Sequence, residues 1–80
     1  MKASELYEKV SNLTGIDSGE TSTILSATFA ILKEQMVKGE EVDIQYFGTF
    51  KTKFYGGIRL PAFIPSRDLR LIVKYNLYHV

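Results

Sequence analysis

Two adjacent glycines, Gly56 and Gly57, stand between two runs of strand-forming residues and limit the middle of this chain to a hairpin. Glycine takes the positive φ that both central positions of a primed two-residue turn require. With that turn in place Tyr55 faces Ile58, the pairing continues back along both strands, and Phe50 falls opposite Phe63. Opposed residues point to the same side of a sheet. Phe50/Phe63, Thr52/Pro61 and Phe54/Arg59 are therefore expected on one side, with core at its base. Lys51/Ala62, Lys53/Leu60 and Tyr55/Ile58 are expected on the other, a basic and partly apolar outer face.

The residues before the hairpin read as two helices and a strand. Leu6, Val10 and Leu13 recur at spacings of four and three, and Glu5 and Glu8 suit the positive end of a helix dipole. They predict a helix from about Ser4 to Leu13, closed by Gly15 as a left-handed cap. Asp17, with Glu20 three residues on, makes a capping-box-like start for a second helix that reaches about Lys38 and ends at Gly39. Its apolar residues, among them Ile24, Leu25, Phe29, Ile31, Met36 and Val37, cover far more than one narrow stripe. A helix that is apolar on several sides needs partners on several sides. The alternation in Val42-Asp43-Ile44-Gln45 marks a half-buried strand.

After Pro65, Ser66 suits an N-cap and Asp68 the first turn of a third helix reaching towards the C-terminus. Leu69, Ile72, Val73, Leu77 and Val80 form one stripe on it, with Leu71, Tyr75 and Tyr78 beside them. Arg67, Arg70 and Lys74 share the remaining side. So few basic residues on a short terminal helix indicate packing within a domain or dimer rather than a membrane surface.

Eighty residues form a single domain, 1–80, and a monomer of this size buries only about 60% of the surface its unfolded chain exposes. Oligomerisation is the natural remedy. The net charge of +1 conceals a division: residues 1–45 hold four basic residues against eight acidic ones, a net −4, while residues 46–80 hold six against one, a net +5. Such asymmetry points to a surface that faces a polyanion.

The chemistry of an enzyme is missing. There is no Cys, and the one histidine, His79, is the penultimate residue, without carboxylates arranged beside it as metal ligands or triad partners. Gly56-Gly57 suits a turn and not a phosphate cradle. No cofactor and no small-molecule substrate are implied. The start of the chain has no apolar signal region and no stretch approaches eighteen apolar residues, so the expectation is a soluble cytoplasmic protein.

Beyond these inferences, the order of elements and several motifs resemble the HU and integration host factor family of bacterial DNA-bending proteins. The residues that carry the resemblance are Glu5, Leu6, Val10, Thr14-Gly15, Ala27, Phe29, Gly39, Val42, Phe47-Gly48 and Phe50, resuming at Pro61-Ala62-Phe63, Pro65 and Leu69. It implies an α+β fold with two N-terminal helices, a three-stranded antiparallel sheet and a C-terminal helix. It also implies an intertwined dimer whose two sheets form a concave saddle for double-stranded DNA. Carried over by position, the phosphate-contacting residue at the arm base falls on Lys53 and those of the last helix on Arg67 and Arg70. Ala3 stands where such proteins often have Lys, leaving Lys2 nearby. The family's long arm, with an Arg-Asn-Pro tip whose proline wedges between base pairs, is shortened here to a stub without that motif. Reduced bending follows.

The resulting expectation is a nucleoid-associated protein that binds duplex DNA weakly and with sequence tolerance, through Lys51, Lys53, Tyr55, Arg59, Arg67, Arg70 and Lys74. The plainer account of these cations is a solvated surface that keeps a sheet edge soluble. The rival function is a protein-interaction module of the same fold, or a heterodimer partner for another HU-like subunit, because Ile58, Leu60, Ala62 and Ile64 make the outer face unusually apolar.

Overall fold

The computed structural model describes residues 1–77, so Tyr78, His79 and Val80 lie outside the described residues. Contacts divide the chain into two compact units, Met1–Ile31 and Leu32–Val80.

The first unit holds α1 (Ala3–Thr14) and most of α2 (Ser18–Val37). Gly15 ends α1 at φ 75°, its N–H donating to the Ser11 carbonyl at 2.9 Å. Asp17 starts α2 as expected: its Oδ2 accepts from the Gly19 and Glu20 amides at 3.0 and 3.4 Å, satisfying donors the helix leaves open. The connection is tightened by the Ser11 and Thr21 hydroxyls, which both donate to the Ile16 carbonyl, at 2.6 and 3.3 Å. Tyr7 of α1 stacks on Phe29 of α2 with ring centres 6.3 Å apart. Within this unit only Thr21 is fully buried.

The second unit holds the end of α2, then β1 (Val42–Ile44), β2 (Gly48–Tyr55), β3 (Ile58–Pro65) and α3 (Arg67–Tyr75), with the strands antiparallel in the order β1-β2-β3. Gly56 and Gly57 have φ 55° and 83°, both positive as a type I′ turn demands, and the ladder runs from Tyr55↔Ile58 to Gly48↔Pro65 in the register expected from sequence. Counted from that turn, the nitrogens of Pro61 and Pro65 point away from β2. Two prolines therefore sit in a strand without removing a ladder bond, and they blunt the open edge of the sheet.

β1 is shorter than the alternation suggests. It stops at Ile44, and Tyr46, at φ 64°, turns the chain so that the Phe47 amide bonds the Ile44 carbonyl at 3.0 Å. Gly48 follows at φ 156°, and a Cβ there would stand 2.5 Å from the Ile64 carbonyl oxygen and 2.7 Å from the Phe63 ring. That close approach lets Phe47, Phe50 and Phe63 gather, with ring centres 4.8 Å apart for Phe50–Phe63, 5.3 Å for Phe47–Phe63 and 6.4 Å for Phe47–Phe50.

Ser66 caps α3, its Oγ accepting the Leu69 amide at 3.0 Å, while its own N–H bonds the Phe47 carbonyl at 2.9 Å. The helix does not continue towards the C-terminus as expected. Asn76 adopts the left-handed conformation, φ 51° and ψ 49°, and its N–H turns back to the Ile72 and Val73 carbonyls, leaving Leu77 beyond the last turn.

Among the described residues no large apolar side chain is fully buried. Val37 and Val73 are 70% and 71% exposed and Ile31 57%, which bears out the reading that α2 and α3 carry more apolar surface than one chain covers.

Candidate nucleic-acid interface

Alternation along β2 and β3 sorts the hairpin residues into two faces. On the inner face the Thr52 hydroxyl donates to the Met36 carbonyl at 2.5 Å, and the Arg59 guanidinium donates to the Val37 carbonyl. These carbonyls belong to the last turn of α2, where the helix leaves acceptors open and its dipole favours a cation. Arg59 also lies over the Phe54 ring, 5.9 Å from its centre. A depression of about 330 Å³, lined by Lys33, Met36, Val37, Thr52, Arg59, Leu60 and Pro61, opens beside this contact.

Lys51, Lys53 and Tyr55 occupy the outer face with Ile58, Leu60, Ala62 and Ile64 opposite or diagonal to them. Arg59 is therefore not in this group: of the seven candidates it is the one that the hairpin turns towards α2. Lys51 and Lys53 are half-buried along their stems, while Tyr55 at the tip is exposed. Lys51 is engaged as well, pairing with Glu41 at 3.1 Å. The Thr49 hydroxyl on the same face donates to Asp43 Oδ1 at 3.1 Å.

Arg67, Arg70 and Lys74 form the second group, on one exposed side of α3. Spacings of three and four residues bring them into line along a helix. Lys74 Nζ lies 5.3 Å from the Tyr75 ring centre, and a shallow depression of about 320 Å³ is walled by Pro65, Leu69, Arg70, Val73 and Lys74. Among the described residues the ion pairs are Lys38–Glu34 and Lys51–Glu41, so the three α3 cations carry no carboxylate partner.

Glu41 and Asp43 are the site residues that sequence reasoning missed. The signal was present: once Val42 and Ile44 are assigned to the inner side, the residues alternating with them must face Lys51 and Thr49. It needed the register between β1 and β2, which depends on the turn at Tyr46.

Two helices, a three-stranded antiparallel meander and a capped terminal helix bearing cations make up a small α+β fold. The family model described as bacterial DNA-binding protein matches residues 1–57, and the chain belongs to that family. It is similar to HU from Thermotoga maritima, at 29% identity and a TM-score of 0.81 over 91% of this chain and 98% of that one. A mutant of HU from the same organism gives 27% identity and a TM-score of 0.85, over 91% and 99%. Anabaena HU in a cocrystal with DNA shares the fold at 20% identity, with a TM-score of 0.81 over 91% and 97%. No curated protein sequence matches. Fold and family are those of non-enzymatic DNA-binding proteins. No helix among the described residues is long and apolar enough to cross a membrane.

Proposed function

We propose that the protein is a single HU-like domain that binds duplex DNA as a dimer, with little sequence preference, on the nucleoid in the cytoplasm. The cationic side of α3 carries this reading, because Arg67, Arg70 and Lys74 are exposed and free of carboxylate partners among the described residues. Lys53 adds a cation on the outer sheet face, with Tyr55 beside the turn. Cations so placed neutralise phosphates, a contact that carries no base readout. Anabaena HU, which has this fold, is seen with DNA.

Bending is reduced because the hairpin arm is truncated. Its strands are eight residues each and close at Gly56-Gly57, and the two prolines of the chain sit at positions 61 and 65, away from the tip. A wedge that unstacks base pairs is thereby lost.

Dimerisation is supported by the apolar side chains left open on α3, where Val73 is 71% exposed and Leu71 39%. A second copy, or an HU-like relative, laid against α3 would cover them. Light scattering is expected to give the dimer mass at micromolar concentration, with a thermal midpoint that rises with protein concentration; a monomer mass would rule the dimer out.

A second reading has its own observation. With Lys51 paired to Glu41, the outer face presents Ile58, 62% exposed, together with Leu60 and Ile64, which suits a protein partner. One titration separates the two: fluorescence anisotropy with duplex DNA at low salt, repeated with Lys53→Glu and Arg70→Glu together. DNA binding predicts salt-sensitive association that the charge reversals abolish. Failure to bind at low salt, or indifference to the reversals, leaves the protein-interaction reading.

A further inference from the structure

The sheet face proposed to meet DNA is electrically balanced, and strand register does the balancing. Val42 pairs with Phe50, so the next positions outward set Glu41 opposite Lys51, where the two form an ion pair at 3.1 Å. Two residues along β1, Asp43 stands opposite Thr49 and accepts its hydroxyl at 3.1 Å. Both carboxylates share the face that holds Lys51 and Lys53. Two cations are thus matched by two anions there, whereas α3 presents Arg67, Arg70 and Lys74 on one side with no carboxylate partner among the described residues.

We propose that Glu41 is an affinity-setting residue that withholds Lys51 from phosphate, so that Lys53 and the α3 cations carry the phosphate contacts. The inference rests on the DNA-binding reading above. Its physical basis is counterion release, the source of salt-dependent affinity for DNA. A lysine held by a carboxylate neutralises no phosphate, so it displaces none of the cations condensed on the DNA. If it turns to a phosphate instead, it leaves an unpaired carboxylate beside a polyanion. Lys51 therefore adds little to affinity while Glu41 is present, although by position it is as well placed on the outer face as Lys53. Glu41 is exposed and Lys51 half-buried, and a pair so open to solvent contributes little to folding, so removing either partner is expected to leave the fold in place.

The test is a double-mutant cycle read by anisotropy with a short duplex of mixed sequence, across about 50 to 200 mM salt. Glu41→Gln is expected to bind about three- to tenfold more tightly at the low-salt end, with the slope of log K against log salt steeper by about 0.9 per protomer. Lys51→Gln in the native background removes no phosphate contact, so the salt slope is expected to stay as it is although the unpaired Glu41 weakens binding, and in the Glu41→Gln background it should abolish the added slope. A charge-swapped protein, Glu41→Lys with Lys51→Glu, keeps a neutral pair and is expected to bind as the native chain does, which preserves the test if Glu41→Gln folds poorly. Unchanged affinity and slope in Glu41→Gln, or equal losses of slope from Lys51→Gln in both backgrounds, overturn the role of Glu41 while leaving DNA binding intact. Absence of duplex binding in every variant at low salt overturns the DNA reading itself, and this inference with it.

Discussion

The inner and outer faces of the hairpin come from the same sixteen strand residues, eight in each strand, yet they are committed to different ends. Inward, Phe50 and Phe63 meet Phe47, Thr52 bonds the Met36 carbonyl and Arg59 the Val37 carbonyl, so each polar group is occupied by the chain itself. Outward, Lys53 and Tyr55 have no such partner among the described residues, and Lys51 pairs with the exposed Glu41. Alternation along a strand thus separates the residues that hold the fold from those available for the proposed binding. A change on the inner face is expected to move the unfolding midpoint, and a change on the outer face the salt dependence of binding.

The largest expected effect tests the root of the inner face. In Gly48→Ala the new Cβ would meet the Ile64 carbonyl oxygen at 2.5 Å and the Phe63 ring at 2.7 Å, and backbone cannot yield as a flexible side chain can. A loss of about 3 kcal/mol or more is expected from overpacking and strain together, read as a lowered urea midpoint or, in so small a domain, loss of the folded far-ultraviolet spectrum. Near-native stability would mean that the strands separate at this point without penalty, and that the aromatic cluster does not hold the hairpin's base.

Phe63→Ala comes next. Removing this ring deprives Phe47 and Phe50 of their closest neighbour, but Phe63 is already 38% exposed, so the expected loss is about 2 kcal/mol, below the range for a fully buried ring. The same measurement checks it, and DNA affinity measured well below the unfolding midpoint should not change. If affinity falls with stability held, the two faces are not independent.

Most of this division was legible in the sequence because a two-residue glycine turn fixes register, and register fixes face. Phe50 and Phe63 were placed opposite each other, and the structure pairs them. Arg59 was placed on the inner side by the same rule and yet was grouped with the DNA-contacting cations for its charge; the structure turns it to the end of α2. That contact spans 22 residues of sequence, and no local pattern signals which helix carbonyl an arginine will reach. Glu41 and Asp43 were hidden for a related reason. Their positions depend on Tyr46 taking a left-handed conformation, which a tyrosine seldom adopts and which sequence gives no reason to expect. The early end of α3 at Asn76 is more readable in hindsight, since asparagine after glycine is the commonest residue for that cap.

Arg59→Gln probes that residue. It removes a cation from the C-terminal end of α2 and shortens the stem that lies over Phe54, and a loss of about 0.5 to 1 kcal/mol is expected. The slope of DNA affinity against salt should stay as it is. A shallower slope with unchanged stability would put Arg59 among the phosphate contacts and erase the boundary between the faces at this position.

Lys53→Gln gives the smallest change in stability and the sharpest separation. Lys53 pairs across the strands with Leu60 on the outer face and makes no ion pair among the described residues, so its head group contributes nothing to the fold that glutamine would not replace. The unfolding midpoint is expected to stay within about 0.5 kcal/mol of the native value. The salt slope for duplex DNA should become shallower by about 0.9 per protomer, the signature of one phosphate contact removed. Glutamine keeps two of the four methylenes, so a stability loss above about 1 kcal/mol would show that the lysine stem, half-buried against Leu60, packs as part of the sheet. In that case the outer face would share in holding the hairpin together, and binding and folding would be coupled through Lys53.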